Sequence, residues 1–401
     1  MVKRRSVIII FLAWLASFIS YLGQTDYSSC LVEIINQTGV AKATAGMVSS
    51  SFALCNAVGQ LSSVVLVKRF PVDKVIALEL VFVAAVNLLL PMTDSFLVMA
   101  ILWGINGCMQ STLLCGLTQL FAQTLKEPYL SRGAVMLNTV GAVGGLTNYI
   151  LSYALIKYFN WKIVFHAVST LLFIFAIVWC SAIPKLMKRM VVETEIKATE
   201  KERSSVISVL KSHGAFLAVL GAFFIGTLRE SVTLWLPSYM KESFSLSGEI
   251  SILITAFVPC FQICGNFLGG GVGRNAGNLF VPACISFTIS GVCLFAINVF
   301  GSTGTAVTMV LFVANAISMT AALTILLSLF PVRYMDRCNL ALLTGITNFA
   351  VKGGNFAASS GIGFLSENYG WVTVFNTLGT LALTGGAICI AGRYVCKRQG
   401  F

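Results

Sequence analysis

Charge is the scarcest commodity in this chain: Asp, Glu, Lys and Arg together supply 10% of 401 residues, while 57% are hydrophobic. A soluble domain carries roughly a quarter charged residues, so the composition excludes a soluble protein and implies a polytopic membrane protein. Only two histidines occur, His166 and His213. Neither has a second histidine or an acid at ligand spacing, so they read as packing or interface residues and no metal site is expected. The twelve cysteines stand singly, with no CxxC pair, as small apolar residues suited to helix contacts rather than as a disulfide or metal framework. No Gly-x-x-x-x-Gly-Lys-Ser/Thr loop is present to bind ATP, and no nucleophile–base pair or catalytic metal motif falls at recognisable spacing. The chain therefore reads as no enzyme and as needing no cofactor. Its net charge of +12 does not point to nucleic acid, because the basic residues are neither gathered on one face nor interleaved with stacking aromatics.

What the sequence has in abundance is apolar runs. Breaks between them predict an all-α membrane protein of twelve spans, at about 6–27, 43–67, 74–91, 95–123, 133–157, 161–184, 214–240, 248–270, 279–299, 304–330, 338–364 and 370–393. The start, Met1 to Arg5 followed by an apolar run, reads as the first span because that run outlasts a signal-peptide core. With the N-terminus inside, 21 of the 27 basic residues fall on cytoplasmic segments and four, Lys42, Lys157, Lys162 and Lys241, fall outside. The positive-inside rule then puts both termini in the cytoplasm of a cell inner membrane protein. The expected organisation is an N-terminal six-helix bundle (1–184), a cytoplasmic linker (185–213) with seven basic and four acidic residues, and a C-terminal six-helix bundle (214–401). An internal repeat supports the division. Gly144-Gly145, Asn160-Trp161 and Phe165 recur as Gly353-Gly354, Gly370-Trp371 and Phe375, offset by 209 residues at the glycines and 210 at the tryptophans. Such duplication marks transporters whose halves rock about a midplane site.

Two cations lie within spans, Arg229 and Lys352. A charge at membrane depth costs at least ~2.5–3.5 kcal/mol and is kept facing a partner or a watery cavity. Arg229, with five donors in a planar fork, suits a carboxylate or phosphate, and its rival role is a structural ion pair. Glu230 cannot be its only partner, since neighbours at i and i+1 diverge on a helix. Glu230 reads equally as a proton-accepting acid and as a structural partner. Lys352 sits beside Gly353-Gly354, where helices can approach closely, and reads as pocket cation or intramembrane ion pair. Asp26, at the outer end of the expected first span, is a candidate for pairing with Arg229, for carrying a coupling proton, or for facing water. Tyr21, Thr25, Tyr27, Asn56, Gln60, Asn106, Gln110, Trp235 and Asn355 are polar or aromatic groups on these spans, suited to orienting a small solute or to interhelical packing.

Local motifs narrow the kinship. The seventh span reads Arg229-Glu-Ser-Val-Thr-Leu-Trp235-Leu-Pro237-Ser-Tyr239-Met-Lys241-Glu242, and the fourth contains Trp103-Gly104-Ile105-Asn106-Gly107-Cys108-Met109-Gln110. With Val143-Gly144-Gly145 and the run from Gly353 to Ser359, these segments resemble the organophosphate:phosphate antiporter family of the major facilitator superfamily, collinearly over nearly the whole chain. The resemblance implies a sugar-phosphate or glycerol-phosphate carrier, or a close relative, with Arg229 in the place of the family's seventh-helix substrate arginine. Some relatives of that family sense a sugar phosphate instead of moving it. The chain departs from the pattern where Thr25-Asp26-Tyr27 replaces the family's first-helix Arg-Lys-Asn, where Gly141 replaces a histidine and where Gln60 replaces a lysine. The superfamily's loop motif is reduced to Val67-Lys68-Arg69-Phe70-Pro71-Val72-Asp73-Lys74 and Gly269-Gly270-Gly271-Val272-Gly273-Arg274. The expected activity is secondary active transport of a small organic anion, organophosphate or carboxylate, by a monomer in the lipid bilayer through antiport or symport. The alternatives are a proton-coupled carrier of a zwitterion or cation, and a transporter-like sensor.

Overall fold

The computed structural model describes residues 2–126, 128–188, 214–301, 304–333 and 340–398. The expected linker lies outside the described residues except for 185–188, and so does His213. Every regular element among the described residues is a helix. The first six rods are Val2–Thr38, Lys42–Arg69, Val72–Leu89, Phe96–Gln110 continued by Leu113–Thr124, Tyr129–Asn138 continued by Val140–Tyr158, and Trp161–Met187. The seventh to tenth are Ala215–Phe244, Gly248–Thr255 continued by Phe257–Asn275, Phe280–Phe300, and Thr305–Leu323 extended through a wide turn to Arg333. The last helix, Leu340–Arg398, is two rods joined at Gly370, whose φ of 77° and ψ of 173° break the helical path. The described residues thus form twelve rods, the number the sequence predicts.

The first rod corrects its expected limits of 6–27. It runs to Thr38 and stops at Gly39, whose φ is 65° and whose N–H closes on the Ile35 carbonyl at 2.9 Å, a left-handed stop that glycine takes without a Cβ penalty. Asp26 therefore lies well inside the helix, not at its outer end, and it is fully buried. Facing water at the end of a span is ruled out for it.

Two compact units form. One comprises Met1–Ile34 with Ser51–Ala198, the other Ile35–Ser50 with Thr199–Phe401. In the first, Ile9, Leu22, Leu80, Val83, Leu172 and Trp179 share a buried core, and rods three and six are tied by Ser169 Oγ to the Ala84 carbonyl (2.8 Å) and by Trp179 Nε1 to the Asp73 carbonyl (3.0 Å). In the second unit, the turn between rods one and two is anchored by polar contacts. Lys42 Nζ lies 2.7 Å from Glu242 Oε1 and 5.2 Å from the centre of the Trp371 ring, while Trp371 Nε1 donates to Glu242 Oε2 at 2.8 Å. The Lys241-Glu242 pair and the repeated Trp371, both singled out in the sequence, thus meet.

Helices in lipid gain little from apolar burial against one another, so close van der Waals packing at small residues holds them. The repeated glycines perform this in both units. A Cβ on Gly144 would press on the Tyr21 ring at 2.7 Å, joining rods five and one, and a Cβ on Gly354 would overlap the Phe223 carbonyl and come within 2.7 Å of the Thr227 nitrogen, joining rods eleven and seven. The glycine repeat therefore falls at equivalent pairs of rods, five with one and eleven with seven, where Gly353, the counterpart of Gly144, likewise meets an aromatic ring, that of Phe223. Gly354→Val should destabilise the fold by about 1–3 kcal/mol through overpacking, whereas Gly361→Ala, with open space around it, should be neutral. Thermal unfolding of the purified variants, followed by loss of monodisperse protein, checks this difference.

Candidate functional site

Rod seven presents Gly226 to rod eleven so closely that a Cβ there would overlap the Val351 carbonyl and lie 3.0 Å from Asn355 Oδ1. Residues three and four further along a helix share its face, which carries Arg229 and Glu230 toward the same neighbourhood. Their directions still diverge. Arg229 Nη2 donates to Gln262 Oε1 of rod eight at 3.3 Å, whereas Glu230 lies within electrostatic reach of Lys352 and, more weakly, of Arg229. Both side chains and Lys352 are partly buried. Rods seven, eight and eleven thus assemble two cations, one acid and the amides of Gln262 and Asn355. Trp235 stands beside this group, fully buried, and its indole N–H is committed to the Ser359 carbonyl at 3.1 Å. Gln262 was not singled out in the sequence. A lone glutamine on the apolar run after Pro259 was the available signal.

The first unit gathers the other expected residues into hydrogen-bonded chains. Thr25 Oγ1 donates to the Tyr21 carbonyl at 2.9 Å and accepts from Asn148 Nδ2 at 3.0 Å. Asn148 also reaches Ser29 Oγ at 3.2 Å, and Ser29 pairs with Ser152 at 2.7 Å. Asp26 accepts the Tyr27 N–H at 2.8 Å through Oδ1, while its Oδ2 is buried without a hydrogen-bond partner among the described residues. Tyr27 packs its ring 5.6 Å from that of Trp103. Two relays follow the same design. Gln60 donates to Asn56 (3.0 Å), which donates to the Gly107 carbonyl (2.9 Å); Gln110 donates to Asn106 (2.9 Å), which donates to the Gly23 carbonyl (2.9 Å). Asn56 and Asn106 are buried bridges between rods, and Gln60 and Gln110 are their partly exposed ends. Asn148, Ser29 and Ser152 escaped the sequence reading because single polar residues on glycine- and serine-rich spans carry no periodic signal.

Among the described residues no group of three His, Cys, Asp or Glu side chains could hold a metal ion. What the geometry offers instead is a set of charged and amide groups on membrane-crossing rods, suited to grip and release a polar solute. The sequence profile of the Major Facilitator Superfamily matches residues 13–339. The chain belongs to that superfamily. Solved structures of similar fold include a bacterial homolog of the human lysosomal transporter Spinster in an inward-facing, unoccupied conformation, 12% identical with a TM-score of 0.76 over 99% of this chain and 95% of that one. A variant of the nucleoside transporter NupG is 12% identical with a TM-score of 0.78, over 96% and 99% of the two chains. A POT family transporter bound to a thioalcohol-conjugated peptide is 13% identical with a TM-score of 0.73, over 95% of each. No curated protein sequence matches this chain. This superfamily member is thus a multi-pass transporter rather than an enzyme.

The electrostatic interaction of Glu230 with Lys352 has a measurable consequence. Removing one member of a buried pair strands the other charge, whereas removing both does not. Lys352→Gln and Glu230→Gln should each lower the thermal midpoint of the superfamily member, and the double variant should lie closer to wild type than the sum of the two losses. Additive losses in this double-mutant cycle would show that the two charges do not interact.

Proposed function

We propose that this protein is a secondary active transporter that moves a small organic anion, an organophosphate or a carboxylate, across the cytoplasmic membrane by alternating access. The observation that carries this reading is the convergence of two cations with the Gln262 and Asn355 amides on rods seven, eight and eleven. Arg229 and Lys352 stand within electrostatic reach of Glu230, at a depth where charged groups are kept facing a partner or a watery cavity. A bound anion is attracted by both cations, and the guanidinium's planar fork can hold two oxygens of a carboxylate or phosphate. The motifs shared with the organophosphate:phosphate antiporter family favour an organic phosphate within that class. Proton or counter-anion coupling and cytoplasmic placement of both termini, as the distribution of basic residues suggests, complete the proposal.

A second reading keeps the scaffold and changes the cargo. Asp26 stands where the antiporter family carries a basic residue, and its Oδ2 lacks a donor, which suits a solute bearing a positive group as well as a negative one. A transporter-like sensor is distinguished from both readings by ligand binding without flux.

Uptake of radiolabelled organic phosphates, carboxylates and amino acids into proteoliposomes tests the proposal. At least one anion should accumulate, and Arg229→Ala should reduce its uptake by about tenfold or more, with Arg229→Lys intermediate because lysine cannot make the two-bond grip. Transport indifferent to Arg229→Ala would overturn the anion assignment.

A further inference from the structure

Within the first unit, lined by the chain neighbours of Gln60 and Gln110, a cavity of about 330 Å³ opens between rods two, three and four. Its wall includes Gly59 and Ser62 of rod two, Lys74, Leu78 and Glu79 of rod three, and Met109 of rod four. The lining is largely apolar; beside the hydroxyls of Ser62, Ser111 and Thr112 and the exposed Lys74, it holds one buried charged residue, Glu79. That carboxyl is 1% exposed; Oε1 accepts from Ser20 Oγ at 2.6 Å, and Oε2 is buried with no hydrogen-bond partner among the described residues.

An acceptor left unsatisfied in such surroundings costs on the order of 1–3 kcal/mol, more when charged. The neighbouring hydroxyls do not relieve it. Ser62 donates to the Val58 carbonyl, Ser111 to the Cys108 carbonyl and Thr112 to the Met109 carbonyl. Lys74 is exposed at the rim, five residues and ~7.5 Å along the helix axis from Glu79. The protein therefore builds a largely apolar chamber with one acidic group in its wall and, among the described residues, supplies Oε2 of that group with no donor. The packing keeps the chamber in being, since rods two and four already touch at Gly59, where a Cβ would lie 3.0 Å from the Cys108 carbonyl, and so cannot close over the space by approaching further.

We propose that this cavity is a binding site for a lipophilic amine, an amphiphile whose ammonium donates to Glu79 Oε2 while its apolar body fills the space between rods two, three and four. The charge match selects the ligand: an anionic amphiphile would meet the Glu79 carboxylate with like charge, and a neutral one forgoes the charge-assisted hydrogen bond. The site is independent of the Arg229 site, so it stands whether or not the anion reading does.

Photolabelling tests it directly. The purified full-length protein in neutral detergent is exposed to an alkyl diazirine bearing a primary amine, and labelled peptides are mapped by mass spectrometry, with decylammonium or decanol as competitor. The expected result is labelling of segments 59–79 and 108–112 that decylammonium displaces at a concentration about tenfold or more below that needed with decanol. Glu79→Gln should erase that preference, and Ser62→Trp, at an exposed wall position, should block labelling by filling the cavity. Equal displacement by amine and alcohol in the wild-type protein would overturn the proposal without recourse to any variant, as would a preference unchanged in Glu79→Gln.

Discussion

Close backbone approach between rods seven and eleven decides what the charged residues of the second unit can do. Gly226 and Gly354 bring the two main chains together, and the residues that follow Gly226 on its face, Arg229 and Glu230, are thereby delivered to the neighbourhood of Lys352 and Asn355. A larger residue at either glycine would separate the rods and with them the charges. In a low-dielectric setting, electrostatic interaction grows as water is displaced, so a small change in separation alters the balance between the single acid and the two cations. That balance is what makes the cluster usable. In the proposed reading, the two cations held beside Glu230 are what an incoming anion meets.

The first unit is built by the same packing device and to a different chemical end. Gly144 seats the Tyr21 ring between rods five and one, as its counterpart Gly353 meets the Phe223 ring between rods eleven and seven. Around that contact lie amides and hydroxyls, the Thr25–Asn148–Ser29–Ser152 chain, with no cation among them. Two buried carboxyls of this unit, Asp26 and Glu79, each keep one oxygen without a hydrogen-bond partner among the described residues. Duplication has thus preserved the helix contacts while the polar groups diverged, as expected if packing constrains the glycines and only the ligands constrain the rest.

Much of this architecture was legible in the sequence because membrane helices announce themselves by length and apolarity, and because the glycine repeat tracks contacts between backbones. The junctions that precede Trp161 and Trp371 illustrate the point. Asn160 caps rod six by accepting from the Ile163 N–H at 3.2 Å, and Gly370 breaks the path into rod twelve, so two unlike residues perform the same boundary function before a shared tryptophan. The length of rod one was not legible. Gln24, Asp26, Ser28, Ser29 and Glu33 interrupt the apolar run, yet Tyr27, Cys30, Leu31 and Ile34 between them are fully buried, and the helix continues because its neighbours cover it. Likewise, Arg229, Glu230, Lys352 and Asn355 stood out as costly polar residues in apolar spans. Gln262, which bonds the arginine, and Asn148, which organises the opposite unit, depended on partners distant in sequence and could not be read from spacing.

The account rests on the Arg229, Glu230 and Lys352 group meeting water and carrying positive potential. The most direct measurement is the reactivity of a single thiol placed beside it, Asn355→Cys, in a background free of native cysteines and with all three charged residues retained. After correction for intrinsic reactivity, an anionic, water-soluble methanethiosulfonate should modify this thiol faster than a cationic one, and added salt should narrow the difference as charges are screened. Modification by neither reagent, or faster modification by the cation, would contradict the account.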